Sequence, residues 1–163
     1  MNIYPNAYFQ KIEEITIQYL LQNKIKALIL DVDNTLIDYR QVLKQEIIQW
    51  AKDLKGQGMK LYILSNTNKK QKVKKVAEKL DIPYKYFGMK PLKRGFLKIQ
   101  KELQLPPENI AVVGDQIFTD IIGGNRCKMH TILVEQINPK DYWYTLWKRP
   151  IEKRIKGKIK KYN

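Results

Sequence analysis

Five short apolar runs, each followed by polar or turn-forming residues and separated by segments of helical spacing, constrain the fold of this chain more than any other feature. The runs are residues 27–30, 61–64, 84–87, 110–113 and 131–134; the first stops at Asp31, the second at Ser65 and the fourth at Gly114-Asp115. Helices are expected over about 7–22, 42–55, 69–80, 91–103 and 117–125, as in the recurrence of Val42, Ile47, Trp50 and Leu54. Strands alternating with such helices imply right-handed crossovers and a parallel sheet covered on both faces. The expected fold class is therefore α/β, a doubly wound parallel sheet. At 163 residues the chain suits one domain spanning 1–163, with a basic, aromatic C-terminal segment over about 136–163.

In a sheet of this kind ligands bind beyond the carboxyl ends of the strands, near the point where strand order reverses. The chain has eight aspartates, and four of them, Asp31, Asp33, Asp115 and Asp120, fall in two clusters at expected strand ends. One aspartate there is commonly a loop or helix cap. Four, with Ser65 and Lys90 between them, ask for another account. Carboxylates on neighbouring strand ends repel one another unless a cation lies between them, and an all-oxygen donor set favours Mg²⁺. Asp31, Asp33, Asp115 and Asp120 are the candidate metal residues. Asp31, directly at the strand end, is placed to attack phosphorus as a nucleophile, and Asp33 to act as general acid and base. Thr35, Ser65, Asn66 and Lys90 are the candidates for holding the phosphate.

These residues resemble the four motifs of the haloacid dehalogenase superfamily of phosphotransferases, in order. Asp31-Val32-Asp33-Asn34-Thr35 matches DxDxT, Ser65 and Lys90 follow, and Gly114-Asp115 through Asp120 matches GDxxxxD. The chain is further similar to subclass IIIA and its YqeG-type branch over most of residues 25–135. That branch includes phosphatidylglycerophosphate phosphatases. The resemblance thus implies a phosphatase fold, an Mg²⁺-dependent aspartyl-phosphate mechanism and a lipid phosphate as substrate, yielding phosphatidylglycerol.

The intervals between motifs leave no room for an inserted cap. Residues 37–64, 66–89 and 91–114 are each consumed by one helix, one strand and short loops. Only a small flap with Asp38, Tyr39 and Arg40 remains, so an open site is expected, suited to a phosphate carried by something large. The net charge of +15, from 31 Lys+Arg against 16 Asp+Glu, predicts affinity for polyanions or anionic lipid. Over 148–163 eight basic residues face the single acid Glu152, just after Tyr142, Trp143, Tyr144 and Trp147. Such a segment suits an anionic membrane surface, and equally a solvated tail or a nucleic-acid contact.

Two alternatives accompany the lipid phosphatase: the same chemistry on a nucleic-acid phosphate end or a soluble sugar phosphate, and a non-enzymatic nucleic-acid-binding protein on a phosphatase scaffold. One cysteine, Cys127, excludes an internal disulfide and points to a reducing, cytoplasmic setting, while the basic, aromatic C-terminal segment adds the expectation of peripheral contact at the membrane inner face. Cys127 and His130 read as packing residues. The lysines of 69–75 read as a solvated helix face, and Arg126 as either a substrate contact or an ion-pair partner.

Overall fold

The computed structural model describes residues 1–138 together with 153, 154 and 157. Most of the basic, aromatic segment expected over about 136–163 lies outside the described residues.

Alternation within the strands builds the two cores. In β2 (Ala27–Leu30), Leu28 and Leu30 face one side and Ala27 and Ile29 the other. The same division holds for Leu61 and Ile63 against Tyr62 and Leu64 in β3 (Lys60–Leu64), and for Ala111 and Val113 against Ile110 and Val112 in β5 (Ile110–Gly114). On the first side pack α2 (Gln45–Gly56), through Ile47, Trp50 and Leu54, and α3 (Lys70–Leu80), through Val73, Val76 and Leu80. On the second packs α4 (Lys93–Leu103), through Phe96, Ile99 and Leu103. Strands buried on both faces read as continuous apolar runs, which is why these segments stood out in the sequence.

With β1 at Ala7–Phe9, β4 at Tyr84–Lys85 and β6 at His130–Val134, the described residues form a sheet of six strands. All are parallel, in the order β1-β6-β5-β2-β3-β4. The doubly wound α/β expectation holds. From β2 the chain builds outward through β3 and β4, then returns to lay β5 on the opposite flank of β2. The reversal of strand order therefore falls between β2 and β5, where Leu30 stands beside Val113. Among the described residues no separate domain interrupts the motifs. The flap after β2 is two isolated bridges, Asp33 with Ile37 and Ile37 with Leu43.

The N-terminal expectation needs correction. Instead of a helix over about 7–22, the chain forms β1 (Ala7–Phe9), a 3₁₀ turn (Ile12–Glu14) and a short α1 (Ile17–Gln22) capped by Thr16, whose hydroxyl accepts from the Tyr19 amide. Ala7, Tyr8 and Phe9 are all buried and pair with Ile132, Leu133 and Val134, so the sixth strand completes the flank beside β6. Helical spacing of Phe9, Ile12 and Ile15 is outweighed by that tertiary pairing. The last expected helix, 117–125, begins instead as a π-turn (Ile117–Ile121) before α5 (Ile122–Arg126).

α4 and α5 meet through a close approach. A Cβ placed on Gly123 would stand 2.5 Å from Cε2 of the fully buried Phe96 ring. Gly123→Ala should therefore cost about 1–3 kcal/mol through overpacking. Thermal melting should show a Tm lowered by several degrees; an unchanged Tm would mean that this contact relaxes without penalty.

Candidate active site

Asp31 immediately follows β2, and its amide donates to the Val113 carbonyl of β5 at 3.0 Å. The switch point thus sets the Asp31 and Asp115 carboxylates on adjacent strand ends. Asp120 joins them from the π-turn. Each of the three offers an oxygen within 4.8 Å of the others, and all three are buried. Gly114 makes this possible: a Cβ there would lie 2.1 Å from Asp120 Oδ2, so only glycine lets the carboxylate tuck against the strand end. The Gln116 amide then donates to Asp120 Oδ2 at 3.3 Å.

Lys90 reaches the triad from the loop before α4. Its ammonium donates to Asp31 Oδ1 at 2.8 Å and to Asp120 Oδ1 at 2.7 Å. Burial works against the lysine's charge, but Asp120 and Asp31 outweigh it and hold the ammonium above its ordinary range. Asp115 is raised well above the usual carboxylate range, chiefly by burial and then by Asp31 and Asp120. Asp120 is pushed up to about 7 by burial and Asp31, against the opposing pull of Lys90. With all three carboxylates ionised, one ammonium leaves two negative charges unbalanced among the described ion pairs. Buried oxygen donors with surplus negative charge fit a hard divalent cation.

The supports are specific. Asn66 clamps the Lys90 main chain: its Oδ1 accepts from Lys90 N at 2.7 Å and its Nδ2 donates to Lys90 O at 3.0 Å. The Arg126 guanidinium donates to the Pro91 carbonyl at 3.3 Å, fixing the next residue of the same loop. The Thr35 hydroxyl donates to Asp115 Oδ1 at 2.8 Å, and Gln136 Nε2 donates to Asp115 Oδ2 at 3.2 Å. Ser65, buried at the end of β3, accepts from the Thr67 amide. Asp38 organises the flap, accepting from the amides of Arg40 and Val42 and from the Arg40 guanidinium; these bonds, Val42's foremost, lower its pKa.

Three expected site residues, Asp33, Thr35 and Asn66, have side-chain partners that the sequence did not predict. Asp33 stands outside the carboxylate triad: its side chain is 47% exposed and forms an ion pair with Lys72. Lys72 is therefore not part of a purely solvated face. Thr35, expected at the phosphate, is 1% exposed and spends its hydroxyl on Asp115. The Asn66 side chain likewise serves Lys90. Cys127 is buried, and His130 pairs with the Tyr19 hydroxyl at 2.8 Å, away from the triad's partners. Gln136 was missed by sequence reasoning, although its place two residues past β6 follows the strand-end rule that found the others.

Comparison with known proteins agrees with this geometry. The profile of the haloacid dehalogenase-like hydrolases matches residues 41–128, which include Ser65, Lys90, Asp115 and Asp120. The chain is similar to the "Probable phosphatase YqeG" of Bacillus subtilis, 35% identical over 158 residues, 96% of this chain and 91% of that protein. Among solved structures it is similar in fold to an uncharacterized protein from Listeria monocytogenes serotype 4b, with a TM-score of 0.58, 20% identity and coverage of 82% and 99% of the two chains. The cobalt-bound deoxy-D-mannose-octulosonate 8-phosphate phosphatase of Haemophilus influenzae also has a TM-score of 0.58, with 16% identity and 69% of each chain covered. A family match over more than half of the chain, and a relative that spans nearly all of it, agree with a buried acidic triad bridged by lysine: the chain belongs to the haloacid dehalogenase-like hydrolases and is a phosphatase.

Proposed function

We propose that this phosphatase is Mg²⁺-dependent, works through an aspartyl-phosphate on Asp31, and hydrolyses phosphatidylglycerophosphate to phosphatidylglycerol. The observation that supports the chemistry best is the buried cluster of Asp31, Asp115 and Asp120 at the switch point, with Lys90 between two of its members. Asp31, Asp115 and Asp120 would hold the cation, which when bound offsets charge between the nucleophile and an incoming phosphate.

The chain's own groups then divide the work. Asp31 attacks phosphorus with one carboxylate oxygen as the bond to the leaving oxygen breaks, and Asp33 delivers the proton that the leaving oxygen takes up. Asp33 next removes a proton from water, which displaces Asp31 from phosphorus and releases inorganic phosphate. Lys90 and Ser65 face the negative charge of the phosphoryl oxygens. Asp33's exposure outside the triad, beside Lys72, supports an acid–base role distinct from metal binding.

The lipid substrate is favoured by the small flap, the +15 charge and the similarity to the YqeG-type branch. A site covered, among the described residues, by so small a flap admits a phosphate attached to a large body. Phosphate release should be compared for phosphatidylglycerophosphate, a phosphorylated oligonucleotide and soluble sugar phosphates, each with and without Mg²⁺. The expected outcome is Mg²⁺-dependent release with the lipid phosphate preferred by at least about tenfold in kcat/KM. Preference for either other class would replace the substrate assignment and leave the chemistry standing.

Asp31→Asn should lower turnover by at least about a thousandfold and also weaken cation binding, since it removes both nucleophile and ligand. Asp33→Asn should slow turnover by about 10²–10⁴-fold while the Mg²⁺-induced rise in Tm stays at the wild-type value. Loss of that rise in the Asp33 variant would return its side chain to the metal set.

Proton and cation compete for the same oxygens. A carboxyl group whose pKa is raised by folding destabilises the folded state as pH climbs from its ordinary 3.8 towards its raised value. For Asp120 that window runs up to about 7, and bound cation removes the penalty. The Mg²⁺-induced Tm increase should therefore be larger at pH about 8 than at pH about 6. Equal increases would show that Asp120 and Asp115 are not displaced from protons by the cation.

A further inference from the structure

We infer that the loop joining β4 to α4 is a docking surface for an anionic lipid bilayer, built beside the catalytic lysine. This deepens the lipid-phosphate assignment and rests on it for the substrate; the surface itself rests on the loop. Within residues 86–92, Tyr86, Phe87, Met89 and Leu92 are 40%, 60%, 48% and 47% exposed, while Lys90 among them turns inward to Asp31. Scattered exposed apolar residues need no explanation; four large ones in a single loop at a catalytic edge do.

Their exposure is held in place by the main chain. Phe87 and Met89 have φ of 51° and 55°, a left-handed conformation that disfavours such side chains. The Phe87 amide donates to Thr67 O at 2.8 Å, the Gly88 amide to Ser65 O at 2.8 Å, and the Lys90 amide to Asn66 Oδ1 at 2.7 Å. The loop is thus pinned to the segment that follows β3, and the hydrogen bonds that position Lys90 also fix the backbone that carries Phe87 and Met89.

Charge selects the partner. From Ile82 through Lys101 the chain has six basic residues and no acid. Lys93 and Arg94 follow the apolar side chains and are exposed, and exposed Lys69 and Lys70 follow Thr67, to which Phe87 is bonded. Aromatic and aliphatic side chains interleaved with lysine and arginine match the boundary between acyl chains and anionic headgroups. A second copy of this +15 chain would instead bring like charges together. Docking through this loop would place the site at the level of a headgroup phosphate.

The test uses the full chain and vesicles free of phosphate monoester, either phosphatidylglycerol-rich or pure phosphatidylcholine, so that binding is read independently of turnover. Wild-type protein should sediment with the anionic vesicles and keep part of that binding at about 0.5 M NaCl, where surface charge attraction is screened. Phe87→Asn with Met89→Asn, residues that suit left-handed backbone, should lower binding at least about fivefold and abolish the salt-resistant part. Hydrolysis of soluble p-nitrophenyl phosphate should stay within about twofold of wild type, and hydrolysis of vesicle-borne lipid phosphate should fall about tenfold. Lys93→Gln with Arg94→Gln should weaken binding to anionic vesicles and leave the salt-resistant part. Wild-type vesicle binding by the Phe87/Met89 variant would overturn the inference. So would sedimentation velocity showing that these substitutions dissociate a dimer without affecting vesicle binding. Intact, loop-dependent vesicle binding with no turnover of lipid phosphate would keep the surface and reject the substrate.

Discussion

Three carboxylates buried within reach of one another are unstable by themselves, and the site is arranged around that problem. Removing a charge from water is costly, and like charges at this separation add to the cost. Lys90 answers part of it with two charge-assisted hydrogen bonds, but a single ammonium cannot balance three acids. The remaining deficit appears as raised pKa values at Asp115 and Asp120. Proton uptake or a divalent cation can remove it. The surplus negative charge that suits a cation is thus a consequence of where the sheet reverses its strand order, because that reversal sets Asp31 and Asp115 side by side.

Holding the triad makes demands on residues without charge. Asn66 fixes the Lys90 backbone by a reciprocal pair of hydrogen bonds, so the short path from β3 to the next loop carries the lysine into the site. Thr35 and Gln136 take one oxygen of Asp115 each, leaving its orientation little freedom. Gly114 supplies the space that Asp120 occupies. Each support comes from a different strand end, so parallel pairing of β2, β3, β5 and β6 is what turns dispersed sequence positions into one site.

The sequence disclosed the parts that obey local rules. Runs buried on both faces announced β2, β3, β5 and β6, and acidic residues closing two of them announced the triad. What it did not disclose depends on distant partners. β1 is three residues whose strand conformation comes from pairing with β6, while their spacing relative to Ile12 and Ile15 suits a helix. Asp33 and Lys72 are thirty-nine positions apart and meet only because α3 follows β3 back along the sheet. Thr35 was legible as a motif residue, but not its partner, since a hydroxyl four residues from Asp31 can face phosphate or carboxylate equally well. Lone titratable residues gave a simpler case: buried Cys127 and the His130–Tyr19 pair need nothing beyond packing and one hydrogen bond.

Openness and burial coexist in this site because different residues carry them. The triad lies below the surface, where low polarity strengthens every charge interaction, while Asp33 stays half exposed with Lys72 beside it. A capped phosphatase excludes water by closing a domain over a small substrate. Among the described residues the flap is the short turn organised by Asp38, too small to enclose a metabolite by itself. The substrate's own bulk, or the surface from which it projects, is the cover most consistent with an exposed apolar loop anchored to the same backbone that delivers Lys90.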